Sequence, residues 1–562
     1  MPDRLPTVQE SSEDSRSGTD RRAKRLLPTC RVQPRIGGMA DRSATYVLLN
    51  ASIACHPEAD ALAVRGGRIS AIGSAENVTD AHPGAVECID MKGGFVLPGF
   101  IDAHTHIFTV GLAETGYTVD LANRSRSEVL ELLHDAADAR SAGEWVVGVG
   151  WDESTWKDHR WLSKTELDAV ALRSPMIAVR LDGHLLTANG QALAAYERLG
   201  RTDRAGFVDG EQGVLREEAA WALIDSIEPD HAALADALHA ATRLCHRLGI
   251  TSVHVMTEPR RIPVLIDRAG MDPLRIRFYS KVLSVEDVRD LLSFRDLAGE
   301  WLTFGGAKLF TDGSIGARNA AVSVPYTGGG TGALNFADDE LRDIVAFADA
   351  NGMQTAIHAI GDRAIEQVLK VHSGIDTDPS NRHRIEHLEL PTQEQVRRAG
   401  ECGLWLSMQP NFIANWSGDD SMYVERIGRD RDALSNPLRW VADEGVPIAF
   451  GSDGMPMSAL YGLHAAVNPP YDVQALSLDE ALAAYTSGGA RLAGQDDIGV
   501  LRVGARADLV VLDADPEIEP ERIGERSVMQ TYVDGRCVYA KDTSRNRRNG
   551  YEQRRAYCKG DE

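Results

Sequence analysis

The chain has 562 residues, 43% of them apolar, and a formal net charge of −23 from 83 acidic and 60 basic side chains. That length suits several domains of ~100–200 residues, although one α/β barrel can occupy ~250 by itself. The acidic balance argues against nucleic acid and anionic membrane as partners, and no stretch approaches the ~18 consecutive apolar residues of a membrane span.

Only nine of the 60 basic residues are Lys, a bias that either a high-salt interior or a GC-rich gene would produce. The seven cysteines are scattered and form no C-x-x-C pair, so neither a disulfide framework nor a thiolate zinc site is expected. A reducing, cytoplasmic location fits that usage.

Residues 1–38 read as a disordered basic tail, polar and without hydrophobic periodicity. Arg21-Arg22 invites a twin-arginine export reading. The apolar stretch such a signal needs is cut short after Leu26-Leu27 by Pro28, Arg31 and Arg35, and Met39 is an alternative start. Residues 39–97 read as strands, with a hairpin turning at Gly66-Gly67 between 61–64 and 68–72. Residues 497–543 mirror them, with a strand at 507–512 and a hairpin at Asp534-Gly535. Neither segment can enclose a core alone, so the two are expected to form one composite β-sandwich from the chain ends. Residues 544–562 resemble the first tail.

Between these ends, apolar runs at 95–103, 251–255, 275–281, 305–310, 354–359, 384–388, 404–408 and 447–451 alternate with helical patterns such as 339–351, 361–371 and 393–402. Buried parallel strands alternating with helices define an α/β class. Eight of them predict a (β/α)8 TIM-type barrel over 98–110 and 236–496. The intervening 111–235 is too long for a loop and is expected to be an inserted α/β subdomain.

The chemistry concentrates at strand ends. His104 and His106 lie two apart after an apolar strand, so both imidazoles face one point at the end where barrel active sites form. An isolated H-x-H pair is equally compatible with two hydrogen-bonded polar histidines. His358 and His387 also stand where a strand meets a loop, and four histidines in such positions point to a divalent metal, zinc above all. Asp453 ends the last strand. It is either a loop cap or a metal ligand that also takes a proton from bound water. Lys308 lies inside an apolar strand, where a charged amine is costly unless paired. It is either a snorkelling or salt-bridged side chain, or a neutral amine that adds CO2 and becomes a carbamate ligand bridging two metals.

In this order the motifs Leu-Pro-Gly-Phe-Ile-Asp-Ala-His-Thr-His, Lys-Leu-Phe-Thr-Asp-Gly-Ser, His-Ala-Ile-Gly-Asp-Arg-Ala, Arg-Ile-Glu-His and Gly-Ser-Asp resemble the amidohydrolase superfamily. Within it they are similar to the family 3 branch that holds N-substituted formamide deformylase. The resemblance spans roughly 45–540. It implies a metal-centred barrel that hydrolyses carbon–nitrogen bonds other than peptide bonds. His104, His106, His358, His387 and Asp453 would be ligands, Asp453 also the base, and Lys308 the bridging ligand at the fourth strand. Trp151 and His184 in the insertion, and Asp312 and Arg363 just beyond metal-bearing strands, are the substrate-binding candidates. His254-Val255-Met256 departs from the His-Asp that relatives often carry there.

The expected activity is hydrolysis of small N-substituted amides or formamides by metal-activated water, with one or two ions. Esters or cyclic amides at the same centre, or a catalytically silent metal-binding protein, are the alternatives. The expected partner is a small-molecule substrate, and a homodimer is compatible with this reading.

Overall fold

The computed structural model describes residues 30–31, 45–82, 87–171, 173–200, 208–227 and 229–542. Eight parallel strands form the central sheet: β1 (Phe100–Thr105), β2 (Ile250–Thr257), β3 (Arg275–Lys281), β4 (Leu302–Phe310), β5 (Gln354–Ala359), β6 (Arg384–His387), β7 (Trp405–Met408) and β8 (Ile448–Phe450). They pair in sequence order from β1 to β8. Nearly every strand residue is buried on both faces, which is why these segments read as continuous apolar runs. Helices such as Asp338–Ala350, Asp362–Ser373 and Gln393–Glu401 cover the outside with apolar stripes.

The strand ladder itself runs only from β1 to β8. The remaining gap is spanned by the Asp453 amide donating to the His104 carbonyl at 2.8 Å and by Ser452, whose amide and hydroxyl donate to Asp102. This approach needs Gly451, because a β-carbon there would lie 2.4 Å from the His104 nitrogen. The sheet is a barrel fastened at one seam by residues of its own mouth.

The first predicted run, 95–103, is two strands. Phe95–Pro98 leaves the barrel and pairs with Leu509–Leu512, so the first barrel strand begins only at Phe100. Ser52–Ile53, Phe95–Pro98, Leu509–Leu512, Val528–Val533 and Arg536–Ala540 make one five-stranded sheet. Its second layer holds Thr45–Leu49, Ala61–Arg65, Arg68–Gly73 and Glu87–Asp90. Leu48, Leu62, Val96, Leu509, Val511 and Tyr532 close the core between them.

Of the first expected tail, Cys30–Arg31 falls within the described residues and corrects that reading. It extends the second layer as a short parallel strand beside Glu87–Asp90, a contact too brief to show as periodicity. The rest of 1–38, and 544–562, lie outside the described residues.

The insertion carries a six-stranded sheet with Val119–Asp120 at one edge, Val146–Trp151, Met176–Arg180, Leu185–Ala188 and Val214–Arg216 within, and Val208–Asp209 at the other edge. Its bounds differ from the expected 111–235. Helix Ile107–Glu114 packs against helix His231–Arg247 so closely that a β-carbon on Gly111 would meet the Ala237 carbonyl at 2.0 Å. Both helices therefore belong with the barrel, and the insertion lies between them.

Candidate metal centre

Four histidines, one aspartate and one lysine meet at the carboxyl end of the barrel. The His104 ring centroid lies 4.8 Å from that of His387 and 5.7 Å from that of His106, and His387 lies 4.6 Å from His358. Asp453 Oδ1 is 3.5 Å from His104 Nε2 and 3.2 Å from His106 Nε2. One donor atom from each of His104, His106 and Asp453 falls within 4.8 Å of the others. His104 and His106 present to the same point because they are two residues apart where β1 ends, as the strand period requires.

Three of the four imidazoles are oriented from behind. His104 Nδ1 is hydrogen-bonded to Glu386 Oε2 at 2.5 Å, which leaves Nε2 for the cavity. His387 Nδ1 is bonded to Gln409 Oε1 at 2.7 Å, again leaving Nε2, while His358 uses Nε2 on the Gly313 carbonyl at 3.1 Å and keeps Nδ1. Such partners fix tautomer and ring direction in metal sites. Glu386 is held in turn by Arg384, whose guanidinium lies over the Tyr279 ring at 4.3 Å and contacts His254 Nδ1 at 3.1 Å. His254, the departure from the family pattern, thus stands at the end of a buried chain leading to His104.

Burial holds His104 and His358 well below the ordinary histidine range, helped by Lys308 beside His104 and by His387 beside His358, and it lowers His387 to about 4. These are neutral imidazoles, the form that binds metal. Burial would raise Asp453, but His104 and His106 outweigh it and keep the carboxylate ionised. Lys308 is 1% exposed and its amine is lowered to about 8 by burial, against the opposing pull of Glu386 and Asp453.

Orphaned atoms test whether a divalent ion fits. His104 Nε2, Lys308 Nζ and Asp453 Oδ1 are all buried without a hydrogen-bond partner. Buried polar atoms are rarely left so. Neutral imidazole nitrogen and carboxylate oxygen converging from different strands are the donor set of a zinc-type ion. The residues fit the group.

Above the centre opens a cavity of about 350 Å3, within the usual range for small-molecule sites. Its apolar wall comes from Trp221, Phe310, Phe412 and Trp416; the Trp221 and Phe310 rings are 5.3 Å apart, and Phe412 stacks on His387. His184 lines the cavity with its Nδ1 on Glu217 at 3.0 Å, and its ring lies 5.1 Å from His358. Burial opposes its charge, but Glu217 prevails and raises it to about 9.

Three expected substrate contacts lie elsewhere. Trp151 is fully buried in the subdomain core, stacked on Trp156 with its indole nitrogen on the Ala178 carbonyl. Arg363 is exposed on the outer helix. Asp312 is buried beneath the cavity, where its oxygens accept from the amides of Ala321, Ile360 and Gly361, and it lies 3.5 Å from His358 Nε2. Its place supports His358 rather than a substrate. Glu389, which sequence reasoning passed over, lines the cavity, accepts from the Tyr423 hydroxyl and is raised to about 8 by burial. The acid two residues after a strand-end histidine was its available signal.

Comparison with known proteins gives the same class. The amidohydrolase family model matches residues 87–539. The chain belongs to the amidohydrolase family, hydrolases that act on carbon–nitrogen bonds. It is 28% identical to the N-substituted formamide deformylase of Arthrobacter pascens, over 86% of this chain and 96% of that protein. It is 27% identical to the Arabidopsis thaliana protein LONG AFTER FAR-RED 3, over 90% and 93% respectively. A crystal structure of an uncharacterized metal-dependent hydrolase from Pyrococcus horikoshii shares the fold with a TM-score of 0.68 at 27% identity, covering 85% of this chain and 99% of that one.

Proposed function

We propose that the chain hydrolyses a small N-substituted amide or formamide at this centre. The observation that carries the reading is the set of orphaned donors, His104 Nε2, Lys308 Nζ and Asp453 Oδ1, at the floor of an aromatic-walled cavity. His104, His106, His358, His387 and Asp453 would hold a divalent ion, zinc by donor type, and Lys308 would bridge to a second. Bridging requires its neutral amine to attack CO2, forming a carbamate and releasing a proton. A bound divalent ion acidifies water and polarises a carbonyl oxygen.

The side chains do the rest. Asp453 accepts the proton of the attacking water and passes it to the departing nitrogen, which leaves poorly unless protonated. The carbon–nitrogen bond breaks to give an acid and an amine. His184, held by Glu217, offers a polar contact at the cavity wall, and Trp221, Phe310, Phe412 and Trp416 favour an aryl or alkyl substituent. A cavity of this size takes a small molecule rather than a polymer.

The test is a panel of N-benzyl and N-alkyl formamides, cyclic imides, aryl esters and dipeptides with the zinc-replete enzyme. Formamides or simple amides are expected to lead. Preference for imides or esters transfers the proposal to those bonds, and no turnover of any of them removes the catalytic reading.

A further inference from the structure

A second cavity, of about 100 Å3, opens at the other mouth of the barrel. Arg277 lies early in β3, Gln354 begins β5, and Arg382 precedes β6, so this is the amino end of the strands, away from the candidate metal centre. Arg277, Arg295 and Arg382 line it with Gln354, Ser380 and Asn381, and no Asp or Glu is among the lining residues.

That absence is unusual in this chain. Acidic residues outnumber basic ones by 83 to 60, and neighbouring buried arginines are matched, Arg275 to Asp508 and Arg384 to Glu386. Arg277 and Arg382 make no ion pair among the described residues. Their guanidinium groups reach only neutral oxygens: Arg277 donates to the Tyr279 hydroxyl at 2.8 Å and the Gly305 carbonyl at 3.4 Å, and Arg382 donates to the Ser380 carbonyl at 3.2 Å. Arg295 has only the exposed Asp296, at 3.7 Å. The acids bonded to lining residues are already engaged: Asp378 accepts from the Ser380 amide at 2.8 Å, and Asp349 is taken up by Asn381, His383 and the Asp378 amide.

The Arg277 side chain and the Arg382 backbone are also held in place. The Tyr279 hydroxyl donates to Gln354 Oε1, and Gln354 Nε2 donates to the Arg382 carbonyl at 2.5 Å. Gly305 lets the Tyr279 ring lie against β4, where a β-carbon would come within 2.5 Å of it. Guanidinium groups gathered around a small polar cavity with no acid among its lining residues form a receptor for an oxyanion, which accepts from their forked N–H groups.

We propose that this cavity binds a phosphate-sized oxyanion. Its volume corresponds to about three waters' share of the liquid, enough for a phosphate group and too little for a nucleoside. The ligand is either free phosphate or the terminal phosphate of a small metabolite. The site shares no residue with the hydrolytic centre and stands independently of the reaction proposed there.

Calorimetric titration of the full-length, metal-replete protein with inorganic phosphate, at constant ionic strength, reads the site directly. Binding is expected to weaken by about tenfold in Arg382→Ala and by about threefold in Arg295→Ala, as loss of a charge-assisted hydrogen bond would do. Arg295 is exposed, so its variant keeps the fold. Binding should persist in His106→Ala, which alters only the opposite mouth. O-phosphoserine binding as well as phosphate assigns the metabolite class, and phosphate alone assigns the free anion. No binding at millimolar phosphate, unchanged affinity in both arginine variants, or loss of binding in His106→Ala would each overturn the proposal.

Discussion

His387 and Asp453 both hold left-handed backbone, with φ of 74° and 55°. Outside glycine such conformations cost of order 1–3 kcal/mol each and persist where surrounding structure enforces them. At Asp453 the enforcing contact is the hydrogen bond its backbone amide donates to the His104 carbonyl. Asn tolerates this conformation nearly as well as Asp, so Asp453→Asn tests chemistry with little change in folding. We expect kcat to fall by ~10²–10⁴, the usual worth of a general base, with the melting temperature close to wild type. His104→Ala should lose metal by elemental analysis together with activity; equal metal and activity in the two proteins would remove His104 from the site. Lys308→Ala should lose activity and recover part of it with short carboxylic acids, which can replace a missing carbamate. Density for an unmodified amine in a fully active, metal-replete enzyme would make the centre mononuclear. At this scale the convergence of His104 and His106 was legible from the period of two in a strand, and that of His358, His387 and Asp453 from their places at the ends of apolar runs, which a barrel gathers at one mouth. Trp151 was not, because a tryptophan in a subdomain core and one in a cavity wall look alike in sequence.

The inserted subdomain is joined to the barrel by charges that left little trace in the pattern of residues. Arg180, fully buried, binds Glu153, Asp152 and Asp182; Glu153 also binds Arg426, and Asp152 accepts from the Trp416 indole at 2.9 Å. Trp416 lines the cavity, so the clamp positions part of its wall. Arg180→Ala leaves buried carboxylates unpaired and should destabilise by about 3–5 kcal/mol, measured by urea unfolding, with a rise in KM. A loss below ~1 kcal/mol would show the clamp to be dispensable. Helix Asp362–Ser373 carries a different liability. His372 is buried with both ring nitrogens unpartnered, beside His383 and its Asp349, and burial lowers it to about 3. Its folded value lies below its unfolded one, so the unfolded chain binds the extra proton and stability falls as pH drops from about 6.5 toward 3. The slope approaches about 1.4 kcal/mol per pH unit from this one group. In His372→Gln the difference from wild type should shrink steadily over that window, and parallel pH profiles would refute the assignment. Strand positions were readable from apolar runs, whereas the split at Gly99 was not, because Phe95–Pro98 and β1 are equally apolar and differ only in which sheet receives them.

Over the whole molecule, the candidate metal donors connect strands that the ladder leaves apart. His104 belongs to β1, His106 follows it directly, and Asp453 follows β8. An ion bound among them ties the seam of the barrel, and whatever binds the folded state alone stabilises it by mass action. Chelation should therefore lower the melting temperature and zinc should restore it; an unchanged melting temperature on verified metal loss would place the seam's strength in Ser452 and Gly451 instead. The barrel as an eightfold pattern was visible along the chain, but the seam was not, since it depends on which strands meet after closure.

Phe95–Pro98 finds its partner, Leu509–Leu512, only across more than four hundred residues. During synthesis, at ~5–20 residues per second, that partner emerges tens of seconds later. Throughout this interval one edge of the Phe95–Pro98 strand waits, open and apolar, beside a barrel that can begin to assemble without it. An unpaired apolar edge is a template for strands of other chains. The composite sandwich thus exposes the newly made protein to mispairing, and aggregation during expression should fall when translation is fast or when a chaperone covers the early strands.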